Sequence, residues 1–173
     1  RSSAASDVYK RQYKNLLTFW HNTVILKLFQ GEKGRNDLRI THEADYAIRV
    51  TYCLALAGEK QCAKDISEVT GVTLRFALKI LRKLTQSGIT KSYKGVAGGY
   101  ELNHSPSEIS LGAIIECIDG PIAINHCLAN EFQCTHMGTQ KECDFHRVFS
   151  EINRSLRDQL CSITMDRFLP PQK

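Results

Sequence analysis

The chain has 173 residues, of which 42% are hydrophobic and 24% charged, and its formal net charge is +5. This length favours one domain, or one domain with an appendage. No apolar run approaches the roughly 20 residues that a membrane-spanning helix needs, which excludes a transmembrane protein. The odd number of cysteines, seven, excludes a fully paired set of intrachain disulfides. We therefore expect a cytoplasmic protein with reduced thiols, which can gather on a metal.

The positive charge is concentrated in two segments. Residues 1–37 hold seven basic and three acidic residues (+4), and residues 60–105 hold eight and three (+5). The other two segments are acidic, with −1 over residues 38–59 and −3 over residues 106–173. A compact basic block followed by an acidic one points to an anionic partner, most commonly nucleic acid.

The first 37 residues lack a steady periodicity. Asp7–Gln12 is what a transposon mosaic end, common in sequencing adapters, encodes in one reading frame, and Gly31–Arg35 needs purine-rich codons like those of a ribosome-binding site. We expect residues 1–37 to be a translated adapter and untranslated region, with Leu38 as the true start. The alternative is a basic arm in which Leu16–Phe29 forms a short amphipathic helix.

From Leu38 onward the residue pattern predicts three helices, over residues 41–57, 63–70 and 73–87. Thr41 and Thr73 stand where a side chain can cap the first and third of these helices. Gly58 and Gly88 are expected to end them. The second and third helices are separated only by the tight turn that begins at Gly71.

The third helix carries two patterns at helical spacing. Its predicted buried stripe consists of Leu74, Leu78, Leu81 and Leu84. A second, basic face carries Arg75, Lys79, Arg82 and Gln86. Two short helices joined by a glycine turn, the second with a basic outer face, are typical of a helix-turn-helix.

A hairpin is predicted directly after the third helix. Ile89–Tyr93 and Tyr100–Leu102 have strand character, and the glycines of Gly95–Gly99 supply a loop that can take positive φ. A hairpin in this place is a wing. The predicted fold class is therefore mainly α with a small β-hairpin wing, and the winged helix-turn-helix domain spans residues 38–120.

The C-terminal part is predicted to hold a helix over residues 107–119, a cysteine-rich loop over residues 121–143, and one long helix from Asp144 to about Phe168. A dimerisation segment at residues 144–169 and a tail at residues 170–173 complete the chain. The apolar stripe of the long helix comprises Phe145, Phe149, Ile152, Leu156, Leu160 and Ile163. Packing against the same helix of a second subunit would bury this stripe, so we expect a homodimer.

Binding to double-stranded DNA needs cations for the phosphates and side chains that contact base edges. Our candidates on the third helix and the wing are Thr73, Arg75, Phe76, Lys79, Arg82, Lys91, Lys94, Gly98 and Gly99. The alternative is a solvated basic face on a structural helix. Three other lysines are expected to be plain surface, namely Lys60, Lys64 and Lys83.

A second group of residues has metal-ligand chemistry. Cys127, Cys134, Cys143 and His146 follow the spacing C-x6-C-x8-C-x2-H. Thiolates bind Fe–S clusters and zinc, and imidazole can join them. Structural zinc sites usually show tighter cysteine pairs, which this loop lacks. The alternative is three unligated thiols. The remaining cysteines are interpreted as small core or surface residues.

The order of motifs resembles the Rrf-two family of winged-helix regulators over Leu38 to about Leu169. The matching segments are Arg39–Thr41 with Asp45–Ala47, Asp65–Ser67, Leu81–Leu84 with Gly88, Gly95–Tyr100, and Ser110–Glu116. The cysteine loop resembles that of the cluster-binding branch of the family. This resemblance implies a homodimeric bacterial transcription regulator that binds promoter operators and holds an Fe–S cluster, either 2Fe–2S or 4Fe–4S.

The resemblance also implies ligands. Cys127, Cys134 and Cys143 match the three cluster cysteines of the family. His146 falls where IscR-like members, which sense Fe–S supply, have a histidine. Asp45 falls where NsrR-like members, which sense nitric oxide, use a carboxylate from the partner subunit. We favour His146, because the C-x2-H spacing is intact and Asp45 has a role at a helix start. The loop is longer than the family pattern, so the fourth ligand and the cluster type stay open.

The sequence is compatible with two other functions. A cluster-free member of the family would sense oxidants or a metabolite through its cysteines, and a zinc-stabilised module would bind another protein. An enzyme is not expected, because the sequence offers no nucleophile–base arrangement and no phosphate loop. Gly95–Gly99 is followed by a strand and not by a helix, so it does not form a dinucleotide loop.

Overall fold

The computed structural model describes residues 40–95, 98–128 and 143–171. The leader at residues 1–37 and the ligand candidate Cys134 lie outside this part of the chain. Within it, none of the helices has the length and apolar character that crossing a membrane requires. The described elements are α1 His42–Ala57, α2 Ala63–Thr70, α3 Leu74–Gln86, β1 Thr90–Tyr93, β2 Gly99–Leu102, α4 Leu111–Asp119 and α5 Asp144–Ser162. The predicted fold class, mainly helical with a hairpin wing, is confirmed.

Helix α1 lies at the centre of the fold and contacts α2, α3 and α4. Its inner face includes Ala44, Ala47 and Val50, all fully buried. Small side chains let the neighbouring helices approach closely, which is why the core forms around this helix. Both predicted ends are confirmed. The Thr41 hydroxyl accepts a hydrogen bond from the Ala44 amide (3.1 Å), and Gly58 ends the helix in the left-handed conformation.

The turn of the helix-turn-helix is built by small residues. Gly71 takes φ 70° after α2, and the Ser67 hydroxyl donates to the Val72 carbonyl (2.7 Å). Thr73 occupies the N-cap position of α3, but its side chain makes no capping hydrogen bond, so that part of the prediction is wrong. The Cys62 thiol instead supplies a cap at α2, where it accepts from the Asp65 amide (3.4 Å).

The predicted buried stripe of α3 is wrong in its first half. The residues that α3 buries are Ala77, Ile80, Leu81 and Leu84. Leu74 and Leu78 are 44% and 42% exposed. The stripe is rotated because the small Ala77 lies against the core. Leu78, the next residue, and Leu74, one turn before Leu78, therefore point outward. Leucine spacing alone does not distinguish these two rotations.

The wing is an antiparallel pair in which Thr90 lies opposite Leu102 and Tyr93 opposite Gly99. Gln61, between α1 and α2, extends this pairing through two hydrogen bonds with Tyr100 (2.8 and 2.9 Å). A Cβ at Gly99 would lie 2.6 Å from the Gln61 carbonyl oxygen, so only glycine fits where the wing touches the helical core. The hairpin is therefore anchored to the helices at its base.

Two C-terminal boundaries differ from the prediction. The helix expected from residue 107 begins at Leu111, because the Ser105 amide and the Glu108 carboxylate close a separate 3-10 turn (2.9 Å) over Pro106–Glu108. Helix α5 ends at Ser162 and not near Phe168. Its chain then becomes extended and pairs with the start of α4 through the Ile163 carbonyl, which accepts from the Leu111 amide (2.9 Å). These backbone bonds replace the helical ones that a longer α5 would have made.

Candidate nucleic-acid interface and cysteine loop

The outer face of α3 presents cations. Arg75, Leu78 and Arg82 follow the spacing i, i+3, i+7, so they share one side of the helix, and all three are exposed. Thr73 is exposed at the start of the same helix. Among the described residues, neither arginine forms a salt bridge. Both guanidinium groups are thus available to an external anion.

The two lysines of α3 reach toward α1. Lys79 lies at the edge of the arginine face, one turn after Arg75, and Lys83 lies one turn further along the helix. One carboxylate, that of Glu43, binds the ammonium groups of Lys79 (2.8 Å) and Lys83 (2.7 Å). Lys83 also donates to the carbonyl of Ile118 (3.2 Å). The expectation that Lys83 is plain surface is therefore wrong, because this side chain links α3 to both α1 and α4. Lys79 remains half-exposed but is partly neutralised.

Phe76 belongs to the same side of α3. Its ring packs edge-on against Tyr46 of α1, with centroids 5.7 Å apart, and the Lys79 ammonium lies 5.4 Å from its centroid. The ring is partly buried against the core. Phe76 therefore packs α3 against α1, next to the exposed cationic face of α3.

The charge pairs lower the pKa of Glu43 below its usual value of 4.5, first through the hydrogen bond from Lys79 and then through that from Lys83. Its position in the first turn of α1 also favours the ionised form, because the helix dipole is positive there. Glu43 thus stays charged in mildly acidic solution and keeps both lysines turned toward α1.

The wing carries a second local network. Glu101 binds the Lys91 ammonium (2.9 Å) and accepts a hydrogen bond from the Tyr93 hydroxyl (2.7 Å), and the Lys60 ammonium lies over the Tyr93 ring. Lys94, at the exposed end of β1, has no carboxylate partner among the described residues. Gly98 approaches the Tyr93 carbonyl so closely that a Cβ would collide with it. The uncompensated charge of the wing is therefore at Lys94.

The described part of the cysteine loop is fastened to α5. Cys127 lies in a 3-10 turn, His126–Leu128, that contacts α5. The Asn153 side chain accepts from the Ile124 amide (3.0 Å) and donates to the Ile122 carbonyl (2.9 Å). The chain leading to Cys127 is thus held along one side of the helix that begins at Cys143.

The other two described candidates lie at the start of α5. Cys143 is its N-cap residue, is half-buried and makes no capping hydrogen bond with its side chain. His146 follows in the first turn, and its Nδ1 is buried without a hydrogen-bond partner among the described residues. Because a buried ring nitrogen normally has a partner, this atom fits a metal-ligand role. No three potential metal ligands converge within the described residues, which exclude Cys134.

Asp45, the alternative fourth ligand, lies in the first turn of α1. Its carboxylate forms an ion pair with Arg49 one turn later (2.8 Å). Both side chains are about one-fifth exposed. Asp45 is thus occupied within its own helix, unlike His146.

A chain of polar contacts leads from α5 through α4 to the helix-turn-helix. Arg157 of α5 forms two hydrogen bonds with the Glu116 carboxylate of α4 (2.6 and 3.1 Å), which lowers the pKa of Glu116. At Gly112 of α4, a Cβ would lie 2.5 Å from the Cys161 sulfur, so the two helices touch. Next to Glu116, the Cys117 thiol donates to the Ser87 hydroxyl at the end of α3 (3.1 Å).

The opposite side of α5 is apolar and uncovered. Phe145 is 78% exposed and Ile152 is 51% exposed, with Val148 between them. Val148 extends the predicted stripe and was missed because it falls between two stripe positions. Phe149 and Leu156 are half-buried, and Leu160 packs against the core. Ile163 lies beyond the helix in the extended segment.

A helix-turn-helix with an exposed cationic face, a hairpin wing and a trailing amphipathic helix defines a winged helix-turn-helix transcriptional regulator. A family model supports this class over nearly the whole described chain. Residues 40–171 match the Rrf2 family, whose description is "Iron-dependent Transcriptional regulator". The chain belongs to the Rrf2 family, and the resemblance inferred from its motifs is confirmed.

Two relatives illustrate the match. A Mycobacterium tuberculosis protein that is named as a helix-turn-helix-type transcriptional regulator is 35% identical over 88 residues, which are 50% of this chain and 55% of that protein. The chain thus spans little more than half the length of that relative. IscR of Pectobacterium carotovorum is 27% identical over 136 residues, covering 76% of this chain and 79% of IscR. Both are named as transcriptional regulators, as the family description is, and this agrees with the prediction that the protein is a regulator and not an enzyme.

Solved structures agree on the fold. CymR, the global cysteine regulator of B. subtilis, superposes with a TM-score of 0.60 at 21% identity, covering 75% of this chain and 95% of CymR. T. potens IscR superposes with a TM-score of 0.55 at 23% identity, covering 77% of this chain and 87% of IscR. At these identities the likeness concerns the fold alone.

The Glu43 pairs predict a pH-dependent contribution to stability. Since the folded pKa is below the unfolded value, the contribution is present above about pH 4.5 and is lost as the pH falls through the folded pKa. Glu43→Gln should lower the free energy of unfolding by no more than about 1 kcal/mol at pH 7, because the lysines are partly exposed. Urea unfolding at pH 7 and pH 3 measures this difference, which should shrink at the lower pH.

The matched control is Glu68→Gln, which removes only an exposed, loose contact with Lys64 (4.0 Å). It should leave stability unchanged at both pH values. An equal loss for Glu43→Gln at pH 7 and pH 3 would contradict the assignment of its effect to the charge pairs.

Proposed function

We propose that the protein is an operator-binding transcriptional regulator that acts as a homodimer, and that an Fe–S cluster in its cysteine loop sets its affinity for DNA. The observation that carries the DNA-binding part is the pair of exposed arginines on α3, Arg75 and Arg82, which no carboxylate neutralises within the described residues. The family and its iron-dependent description support the second part.

In this proposal α3 enters the major groove and the wing contacts the backbone or the minor groove. Arg75 and Arg82 bind phosphates or base edges, and Thr73 lies at the end of α3 that approaches the bases. Lys94 supplies the cation of the wing. Gly98 and Gly99 allow the two strands of the wing and the helical core to approach closely, which fixes the wing that carries Lys94. Phosphates compete with Glu43 for Lys79 and with Glu101 for Lys91, so these lysines contribute less than the arginines.

The first prediction of this proposal concerns Arg75. Arg75→Ala should weaken binding to a promoter duplex by about 1–3 kcal/mol if the guanidinium contacts a base edge. Fluorescence anisotropy titrations at several salt concentrations measure this loss and should also show a steep salt dependence for the wild type. Lys64→Ala, which removes an exposed cation of α2, is the control and should bind like the wild type. Equal affinity of the Arg75 variant would contradict the placement of the recognition face.

Four residues are proposed to hold the cluster: Cys127, Cys134, Cys143 and His146. Support comes from the unpartnered Nδ1 of His146 one turn after Cys143, and from the Asn153 contacts that hold the Cys127 segment along α5. When bound, an Fe–S cluster supplies a centre that responds to oxidation, nitric oxide or Fe–S supply. The ion pair of Asp45 with Arg49 favours His146 as the fourth ligand.

Contacts between neighbouring helices connect the cysteine loop to the DNA-binding helices. Ligands on both sides of residues 128–142 would join the Cys127 turn to the start of α5. The contacts of α5 with α4 through Arg157 and Glu116, and of α4 with α3 through Lys83, then carry a change in α5 toward the recognition helix. In a dimer, such a change alters the angle between two DNA-binding heads that must match two half-sites. A coupling free energy of about 1–3 kcal/mol would be typical.

The second prediction tests the ligands. Protein purified without oxygen should be coloured and contain iron and sulfide. His146→Ala and Cys134→Ala should lose most of both, whereas Asp45→Ala should retain them. Absorbance spectra with iron and sulfide analysis measure the content. Cys62→Ser is the control, since that thiol caps α2 away from the loop.

A colourless, iron-free wild type would contradict the cluster and favour a thiol sensor of the same family. Bound zinc in place of iron would favour a structural site. Loss of iron in Asp45→Ala with retention in His146→Ala would assign the fourth ligand to Asp45.

The third prediction concerns the dimer. Ile152→Glu places a carboxylate in the exposed apolar side of α5 and should prevent association, because the charge would be buried without a partner. Light scattering should then give the mass of a monomer. Arg154→Glu puts the same carboxylate on another side of the same helix and should leave a dimer. A dimeric Ile152 variant would assign the interface to a different surface.

A further inference from the structure

The recognition face of α3 contains an apolar pair that phosphate binding does not use. Leu74 and Leu78 lie one helical turn apart and are 44% and 42% exposed, so neither completes the core. Leu78 stands between Arg75 and Arg82 on the same side of the helix. Two large apolar side chains are thus exposed among the cations proposed to contact DNA.

The surroundings of this pair favour DNA as its occupant. The sequence of α3 contains four basic residues and no aspartate or glutamate, and the lysine side of the helix is already bound to Glu43. An apolar pair flanked by unpaired arginines matches a polyanion that carries apolar groups in its groove. An apolar protein partner would instead leave both arginines without counter-charges at the interface.

The chemistry of the major groove indicates which base the two leucines can recognise. Thymine presents a C5-methyl group there, whereas the other groups on the base edges are hydrogen-bond donors and acceptors. A leucine cannot satisfy those donors and acceptors, but it gains from covering a methyl group. We propose that Leu78, with Leu74 beside it, recognises thymine methyl groups, so that each operator half-site carries thymine opposite this pair. This inference rests on the proposed DNA-binding function.

The test uses a duplex that the full-length protein itself selects from a random-sequence library. Each thymidine is replaced in turn by deoxyuridine, which removes only the methyl group. Wild-type affinity should fall about fourfold at one or more positions of each half-site, as expected for one buried methyl-sized group. In Leu78→Ala or Leu74→Ala, the same replacement should have no effect, because the covering side chain is gone.

Gln86→Ala, an exposed change on the same helix, is the control and should keep the methyl dependence of the wild type. Thermal melting followed by circular dichroism establishes that the leucine variants are folded, which is expected because both positions are outside the core. If no thymine methyl affects wild-type affinity, or if the effect persists in Leu78→Ala, the inference is overturned while DNA binding stands. Failure of the wild type to select any duplex would overturn the proposed function itself.

Discussion

Helix α4 is fastened on three sides, and the relation between the DNA-binding helices and α5 depends on these attachments. The Asp119 carboxylate at its end accepts a hydrogen bond from the Thr41 hydroxyl at the start of α1 (2.6 Å). The Ile118 carbonyl accepts from Lys83 of α3, and Glu116 binds Arg157 of α5. Because α4 also buries Ile114 and Ile115, it cannot shift against one neighbour without disturbing the others.

The close contact between α4 and α5 has a steric origin. Gly112 leaves room for the Cys161 sulfur, and the extended segment after Ser162 pairs with the residues before α4. The C-terminal half of α5 is therefore held by the core, whereas its N-terminal half carries the exposed apolar residues and the ligand candidates. Binding or loss of a ligand at Cys143 and His146 would therefore act on the half of α5 that the core does not cover.

A single carboxylate divides the charges of α3 into two groups. Glu43 binds the two lysines on the side of α1, which leaves the arginines and the two exposed leucines on the outer side. The division places flexible, compensated cations beside the core and planar, uncompensated guanidinium groups toward solvent. Arginine suits that outer position because its planar guanidinium group can bind phosphate or guanine with two hydrogen bonds.

Local chemistry made most of the fold predictable. The ends of α1 followed from a threonine cap and a glycine, the turn from Gly71, and the wing from two strand-like segments around glycines. The motif order further identified the family, which the match over residues 40–171 confirms. The start of α4 was harder to predict from the sequence, because the capping box at Ser105 and Glu108 closes a separate turn where the apolar pattern suggested continuous helix.

The sequence by itself determined which elements form, in what order, and which residues carry the chemistry of DNA binding and metal ligation. Only the tertiary structure decided how those elements are rotated and which charges are compensated. The stripe of α3 turned because Ala77 brings it close to the core, which exposed Leu74 and Leu78. Lys79 met the carboxylate of Glu43, 36 residues earlier in the chain, and Lys83 met the same carboxylate. Local periodicity carries no information on such long-range pairs, since they depend on how packed helices and strands approach one another.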